Sequence, residues 1–225
     1  IKVISDHNTS FSLKSFKQAL PRLASNLLPF LSSFIPPQEL SVAVIIPTFN
    51  RANYLIRAIA SVISQTSPAN EIIIVDDGSS DDTPFVLDSF GDRICVHTLS
   101  HRHGVSFARN HGVNHASSDW ICFLDSDDEW QPDKLKEHRD FFRQYPFMLI
   151  HQTDENWIRN DRPLAKKNYH EKVGGWIFEH CLDRCMISPS AVMLSRHLAH
   201  FFPFDPLLPA CEDYDNWLKI TRYYP

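Results

Sequence analysis

Leu124 to Glu129 reads LDSDDE, which puts Asp125, Asp127, Asp128 and Glu129 within five positions, directly after the apolar run WICFL from Trp120 to Leu124. The apolar run predicts a strand, and carboxylates crowded at a strand end are suited to a divalent cation. At strand spacing Asp125 and Asp127 project to the same side. Both can then reach one hard ion, and oxygen donors of this kind suit Mg²⁺ or Mn²⁺. The ion would bridge the acidic site to an anionic ligand such as a nucleotide diphosphate, which bare carboxylates repel. Without a ligand, the same residues read as a solvated acidic turn with Asp128 capping a helix that begins near Pro132.

The elements around this run alternate. SVAVIIP (Ser41 to Pro47) is a continuous apolar, β-branched run, as expected of a strand buried on both faces. Leu55, Ile59, Val62 and Ile63 then form a stripe on a helix over Asn53 to Gln65. A strand at EIIIV (Glu71 to Val75), a helix after Thr83-Pro84, a strand at RICVHTL (Arg93 to Leu99) and a helix from Val105 to Ala116 follow. This order predicts a mostly parallel sheet with right-handed crossovers, in which ligands bind beyond the carboxyl ends of the strands. TFNR (Thr48 to Arg51), DDGSSDD (Asp76 to Asp82) and DSDDE all fall at that edge. Gly78 and Gly104 lie in its loops, where positive φ or close backbone approach is required. HGVSFARNHG (His103 to Gly112) places Arg109 and Asn110 on a helix that starts at the same edge; taken alone, Arg109 is equally a surface cation with a packed stem.

The later chain is less regular. Pro132 to Gln144 predicts a helix with Pro132 at its first position, followed by a strand at FMLIH and a polar stretch from Thr153 to Trp176 that ends in a Gly174-Gly175-Trp176 loop. SPSAVML (Ser188 to Leu194) returns to strand character, and Cys211 to Tyr224 is a helix entered through an acidic turn.

Composition narrows the function classes. The 225 residues suit one large domain, and a net charge of −5 with scattered basic residues leaves no electrostatic footprint for nucleic acid. The five cysteines, an odd number at irregular spacing, predict reduced thiols in a cytosolic setting, three of them in apolar runs of the core. Cys181 and Cys185, with His180, share one helical face, a spacing that favours packing over a soft-metal site. The absence of GxGxxG and of a Walker A loop disfavours a Rossmann dehydrogenase and a P-loop kinase. No run reaches the roughly 18 to 20 apolar residues of a membrane span. Residues Ile1 to Leu40 carry apolar positions at helical spacing broken by Pro21, Pro29, Pro36 and Pro37, and predict an accessory helical segment or linker, with peripheral membrane contact as the lesser reading. A chain that begins at Ile1 reads as a fragment.

IIPTFNR, VDDGSSDDT, HGVSFARN, FLDSDD and the late CEDYDNWL, in this order over Leu40 to Pro225, resemble glycosyltransferase family 2. That resemblance implies an α/β domain of the GT-A fold over residues 41–225, with a mostly parallel central sheet, helices on both faces, and a Rossmann-like nucleotide-binding half joined to an acceptor-side half. It implies inverting transfer of a sugar from a nucleotide-diphosphate donor, a UDP sugar favoured, to a hydroxyl of a glycan or lipid-linked acceptor, in the cytoplasm or at the inner face of the membrane. Pro47, Thr48, Phe49 and Arg51 would line the donor pocket, Asp77 would hydrogen-bond the base, and Asp76 would support that turn or share the contact. Asp125, with Ser126 beside it, would contact the ribose or metal-bound water, and Asp127 would ligate the metal, Mn²⁺ or Mg²⁺. Arg109 and Asn110 would lie near the donor sugar or diphosphate. Asp213 would be the general base, with Glu212 orienting the acceptor or its loop.

The chemistry is consistent with those roles. A metal stabilises the departing diphosphate as a Lewis acid, the sugar gains oxocarbenium character, and inversion needs a carboxylate on the opposite face to take the acceptor proton. His151, His170 and His180 are candidates for a third metal ligand. Arg102 departs from the family, which commonly carries Asn there, and members usually continue past the last helix, so the chain reads as truncated at Pro225. Two rival functions use similar residues: a nucleotidyltransferase and a non-catalytic nucleotide-sugar or glycan-binding module.

Overall fold

The computed structural model describes residues 40–159, 162–165 and 171–225, so the accessory segment expected over Ile1 to Leu40, apart from Leu40, and the ligand candidate His170 lie outside the described residues. The apolar run that opens the domain forms β1 (Val42–Thr48), in which all seven residues are buried. β1 pairs in parallel with β2 (Glu71–Asp76) on one side and β4 (Trp120–Phe123) on the other, and β2 pairs in parallel with β3 (Cys95–Thr98). β8 (Val192–Ser195) runs the other way, antiparallel to β4, and β5 (Ile150–Gln152), antiparallel to β8, returns to the direction of β4. The sheet order is therefore β3-β2-β1-β4-β8-β5, with β6 (Ile158–Arg159) and β7 (Arg162–Pro163) in a separate hairpin.

Alternate residues of β1 serve two cores, as a period of two requires. Val42, Val44 and Ile46 pack with Leu55, Ala58, Ile59 and Val62 of α1 (Ala52–Ile63) and with Leu135 and Phe142 of α4 (Lys134–Gln144). Leu87 of the short α2 (Thr83–Asp88) joins this face. Ala43 and Ile45 face the opposite core, with Ala108 and Val113 of α3 (Val105–His115), Cys181 of α5 (Phe178–Asp183), Leu198 of α6 (Arg196–Phe201), and Trp217 and Ile220 of α7 (Glu212–Thr221). Helices thus cover both faces, and the closest approach is at Gly112, where a Cβ would run into the Ile45 side chain.

Several local expectations change. Pro132 stands outside α4, whose helix begins at Lys134 behind Asp133; the Pro132 carbonyl instead accepts the Thr66 N–H at 2.9 Å. Ser188 to Leu194 does not run as one strand, because Pro189–Ala191 form a 3₁₀ turn and only Val192 to Ser195 extends. Cys122 and Cys181 are buried, whereas Cys95, Cys185 and Cys211 are exposed, so two cysteines rather than three serve the core. Among the described residues no helix is long and apolar enough to cross a membrane.

Candidate active site

The loops after β1, β2 and β4 stand side by side because their strands are parallel neighbours. Asn50 ties the first to the second. Its backbone takes φ 51, a left-handed conformation that asparagine tolerates. Its N–H donates to Ser79 Oγ at 2.9 Å and its side-chain oxygen accepts the Ser80 N–H at 2.8 Å. Gly78, at φ 79, lies so close to the His101 backbone that a Cβ there would stand 2.9 Å from the His101 carbonyl carbon.

Asp77 serves the same scaffold. It is 3% exposed, and its two oxygens accept the N–H groups of His103 and Gly104 at 2.7 Å each, pinning the start of α3. The neighbouring Asp76 is different. One oxygen accepts the Ser79 N–H at 3.1 Å, while the other is buried with no partner among the described residues. Thr48, its register partner on β1, holds a second buried, unpartnered oxygen, Oγ1. Residues paired in register across a parallel ladder point to one face, so these two atoms form a polar floor at the β1–β2 edge that an incoming hydrogen-bonding group would satisfy. Pro47, one residue before Thr48, is buried within β1 beside Val75. Phe49 is covered by the Arg102 guanidinium, 4.6 Å above its ring.

β4 ends at Phe123, so Asp125 and Asp127 are not brought together by strand spacing. They sit in a turn closed by the Asp128 N–H donating to the Asp125 carbonyl at 3.0 Å, with Ser126 buried at its centre. Ser190, in the 3₁₀ turn before β8, holds this turn: its hydroxyl accepts the Asp125 N–H at 3.0 Å and donates to Asp128 at 2.6 Å. Asp128 therefore does not cap α4. Burial raises its pKa above the usual carboxylate range, the Ser190 bond opposes that, and the charges of Asp125 and Asp127 add to it. Asp125 and Asp127 remain the open carboxylates, with side chains 33% and 47% exposed. Arg51 reaches across from the end of β1 to within 3.4 Å of Asp127.

Two open carboxylates with no soft donor fit a hard divalent cation that draws its remaining ligands from water and a diphosphate. Asp127 and Asp125 would hold such an ion. His151 does not complete the set: its Nδ1 is 2.9 Å from His138 Nδ1, its ring stacks on Phe141 at 3.8 Å, and burial holds its pKa down to about 4. His180 is exposed on α5.

Arg109 joins the acidic turn to the far end of the chain. Its side chain is 4% exposed, one terminal nitrogen donates to Asp125 Oδ1 and the other to Glu212 Oε1, both at 2.8 Å. Burial works against its charge, but the Asp125 and Glu212 carboxylates outweigh that and hold the guanidinium firmly protonated. The pairing brings residues 125 and 212 to one arginine, so Arg109 organises the two carboxylates. Asn110 is likewise occupied. Its amide donates to the Phe204 carbonyl at 2.7 Å and accepts the Phe204 N–H at 3.0 Å, fixing that ring edge-on to Trp217 and 5.0 Å from the Arg109 guanidinium.

Asp213 follows Glu212 in the first turn of α7, behind Cys211 at φ 60. It accepts only the neighbouring Tyr214 N–H at 2.8 Å and a Cys185 Sγ contact at 3.9 Å. Burial raises its pKa, the Tyr214 bond lowers it, and the charges of Glu212 and Asp125 raise it again against Arg109. A half-buried carboxylate with a raised pKa beside two fixed carboxylates is equipped to accept a proton. Ser190 and Phe204, which shape both halves of this site, carry no signal in sequence beyond lying near β8 and α7.

Comparison with known proteins agrees with this arrangement. The chain is 38% identical over 184 residues to TuaG of Bacillus subtilis, described as a candidate teichuronic acid biosynthesis glycosyltransferase, covering 80% of this chain and 72% of that protein. It is 32% identical over 182 residues to the Escherichia coli UDP-Glc:alpha-D-GlcNAc-diphosphoundecaprenol beta-1,3-glucosyltransferase WfgD, covering 80% and 70%. In structure it resembles S. aureus TarS in complex with UDP, with a TM-score of 0.65, 22% identity, and coverage of 79% of this chain and 54% of that one. The likeness to TarS supports the GT-A fold expected of the chain. Among glycosyltransferases of Rickettsia that it also matches, the chain spans 30% of one and 58% of another. Residues 43–197 match the profile of glycosyl transferase family 2, and with this coverage the chain belongs to that family.

Proposed function

We propose that this chain transfers a glycosyl group from a nucleoside-diphosphate sugar, UDP-linked, to an acceptor hydroxyl with inversion. The observation that carries the reading is the Asp125–Arg109–Glu212 bridge at 2.8 Å on both sides, which sets the acidic turn after β4 beside the Glu212-Asp213 pair at the head of α7. The donor base would sit on the floor made by Thr48 Oγ1 and Asp76, with Phe49 and Arg102 alongside. A divalent cation held by Asp125 and Asp127 would supply Lewis-acid stabilisation of the diphosphate leaving group. Asp213 accepts the acceptor proton, and burial is what keeps its pKa high enough for that task. Glu212, fixed by Arg109, holds the start of α7 and so aims Asp213.

The named activity of WfgD, with a lipid-linked diphosphate acceptor, supports an acceptor of the glycan or glycolipid class and a place of work at the membrane surface. Asp213→Asn tests the assignment. Transfer falls by about 10² to 10⁴, while a thermal-shift panel of nucleotide sugars with Mn²⁺ still shows donor binding; equal loss of both rejects Asp213 as base. In the same panel Asp127→Ala removes the metal-dependent part of the shift. Products separate the rivals: release of pyrophosphate would establish a nucleotidyltransferase, and binding heat without turnover in the full-length protein would establish a binding module.

A further inference from the structure

β3 is the outer strand of the sheet, and α3 packs across its neighbours β2 and β1. Inward, α3 buries Ser106, Ala108, Arg109, Gly112 and Val113. His111 and His115, one turn apart on the remaining flank, meet His97 of β3, and one ligating nitrogen from each of the three rings lies within 4.8 Å of the others. We propose that His97, His111 and His115 form a zinc site that fastens α3 to the edge strand, separate from the carboxylate pair in the donor cleft.

The geometry is close to what the metal needs. His97 Nδ1 and His111 Nε2 are 3.3 Å apart, and two nitrogens bound at tetrahedral angle to one zinc stand about 3.4 Å apart for Zn–N bonds of about 2.0 to 2.1 Å. His115 Nδ1–H donates to the His111 carbonyl at 2.8 Å, which fixes its tautomer and leaves Nε2 with a free lone pair. The far nitrogen of His97 stands 3.6 Å from Cys95 Sγ, so the ring has a partner outside the metal shell while Nδ1 faces inward. Burial, and then the neighbouring imidazoles, lower the pKa of His97 and His111, so both are neutral near pH 7 and need shed no proton to bind. Three imidazoles with no carboxylate select zinc over magnesium. The fourth position is open to water, because His97 and His111 are part-exposed and His115 is exposed.

Such a clamp would bear on the reaction only through α3, the helix that carries Arg109 two residues before His111. The competing account is a stack of rings: His103 on Phe107 at 4.5 Å and His111 on His115 at 4.2 Å, held by packing alone and without metal affinity.

Titration of the chelator-treated chain with ZnCl₂ by calorimetry decides between them. One equivalent binds, and at a hundredfold excess over Kd the melting midpoint rises by about 5 to 10 °C. His115→Gln, at an exposed position that leaves the fold intact, weakens the affinity at least tenfold; His97→Gln/His115→Gln abolishes it; and Asp127→Ala leaves it unchanged. Cobalt(II) in place of zinc gives the visible absorption of a tetrahedral site in the wild type and loses it in the double variant. Equal zinc affinity in His115→Gln and wild type, loss of zinc binding in Asp127→Ala instead, or no binding in the wild type would each overturn the site. None of these readouts depends on sugar transfer, so failure here and failure of the proposed activity are told apart.

Discussion

Arg109 on α3 and Lys134 on α4 are both nearly withdrawn from water, at 3% and 8% exposure, on opposite faces of the same sheet. Arg109 stands between two carboxylates at 2.8 Å and is held charged. Lys134 touches Thr153 Oγ1 at 2.8 Å, His138 Nε2 at 3.1 Å and the Trp130 ring at 5.1 Å, all uncharged groups, and burial brings its pKa down to about 8. His138, fully enclosed, stays neutral well below its ordinary value for the same reason. Burial alone therefore says little about what a cation does. The partner set decides: one arginine couples two distant acidic segments, while the lysine, among uncharged groups, is held less firmly protonated.

The largest test of that contrast is Arg109→Met. Removing the cation leaves Glu212, 14% exposed, and the more open Asp125, 33% exposed, as uncompensated like charges, so the unfolding free energy in urea drops by about 2 to 4 kcal/mol, less than for a fully buried pair because water screens Asp125. Sugar transfer falls with it, because Asp213 loses the support that aims it. A loss below about 1 kcal/mol would mean that the bridge does not couple the two halves.

Lys134→Met sharpens the other side. The unfolded chain titrates this lysine near 10.5, the folded chain near 8, so between these values the unfolded state binds the extra proton and stability rises with pH. The rise amounts to about 3 kcal/mol in the wild type, and the methionine variant lacks it. At pH 7 the variant is as stable as the wild type or more so, since the cost of a buried charge is gone. A variant that followed the wild-type curve through that window would show that Lys134 is not the titrating group.

Arg102→Ala gives the smallest effect. This exposed cation rests on the Phe49 ring at 4.6 Å, and its removal costs about 0.5 to 1 kcal/mol in donor binding, measured by calorimetry, without a change in melting midpoint. It provides the solvent-screened baseline against which the two buried cations are judged.

Much of the scaffold was legible before any coordinates, because local chemistry and periodicity carry it. A continuous β-branched run could only be an inner strand, as β1 is, and alternation with helical stripes required parallel neighbours whose polar ends collect at one edge. Gly78 and Gly104 punctuate that edge because few residues accept positive φ. Other features were not legible. The carboxylates of Asp125 and Asp127 share a turn rather than a strand, since Ser190, 65 residues on from Asp125, captures the Asp125 N–H. Asp77 also accepts the backbone N–H groups of His103 and Gly104, a role its sequence position does not show. Asn110 holds the Phe204 backbone, and Pro47 is buried within β1. HxxxH on α3 is visible in sequence, but the third imidazole comes from β3.

The sequence by itself determined most strands and helices of the first half of the domain, the edge where the polar motifs gather, and the family to which the motifs belong, because these follow from side-chain type and spacing along the chain. Only the tertiary structure decided which carboxylates are free, which are spent on backbone N–H groups, and that Glu212 meets Asp125 through Arg109. The physical reason is that a carboxylate's task depends on which donors reach its two oxygens and how much water remains around it. The donors to Asp77, Asp125 and Glu212 come from residues 16 to 103 positions away, brought to contact distance only when the sheet and its two helical layers close.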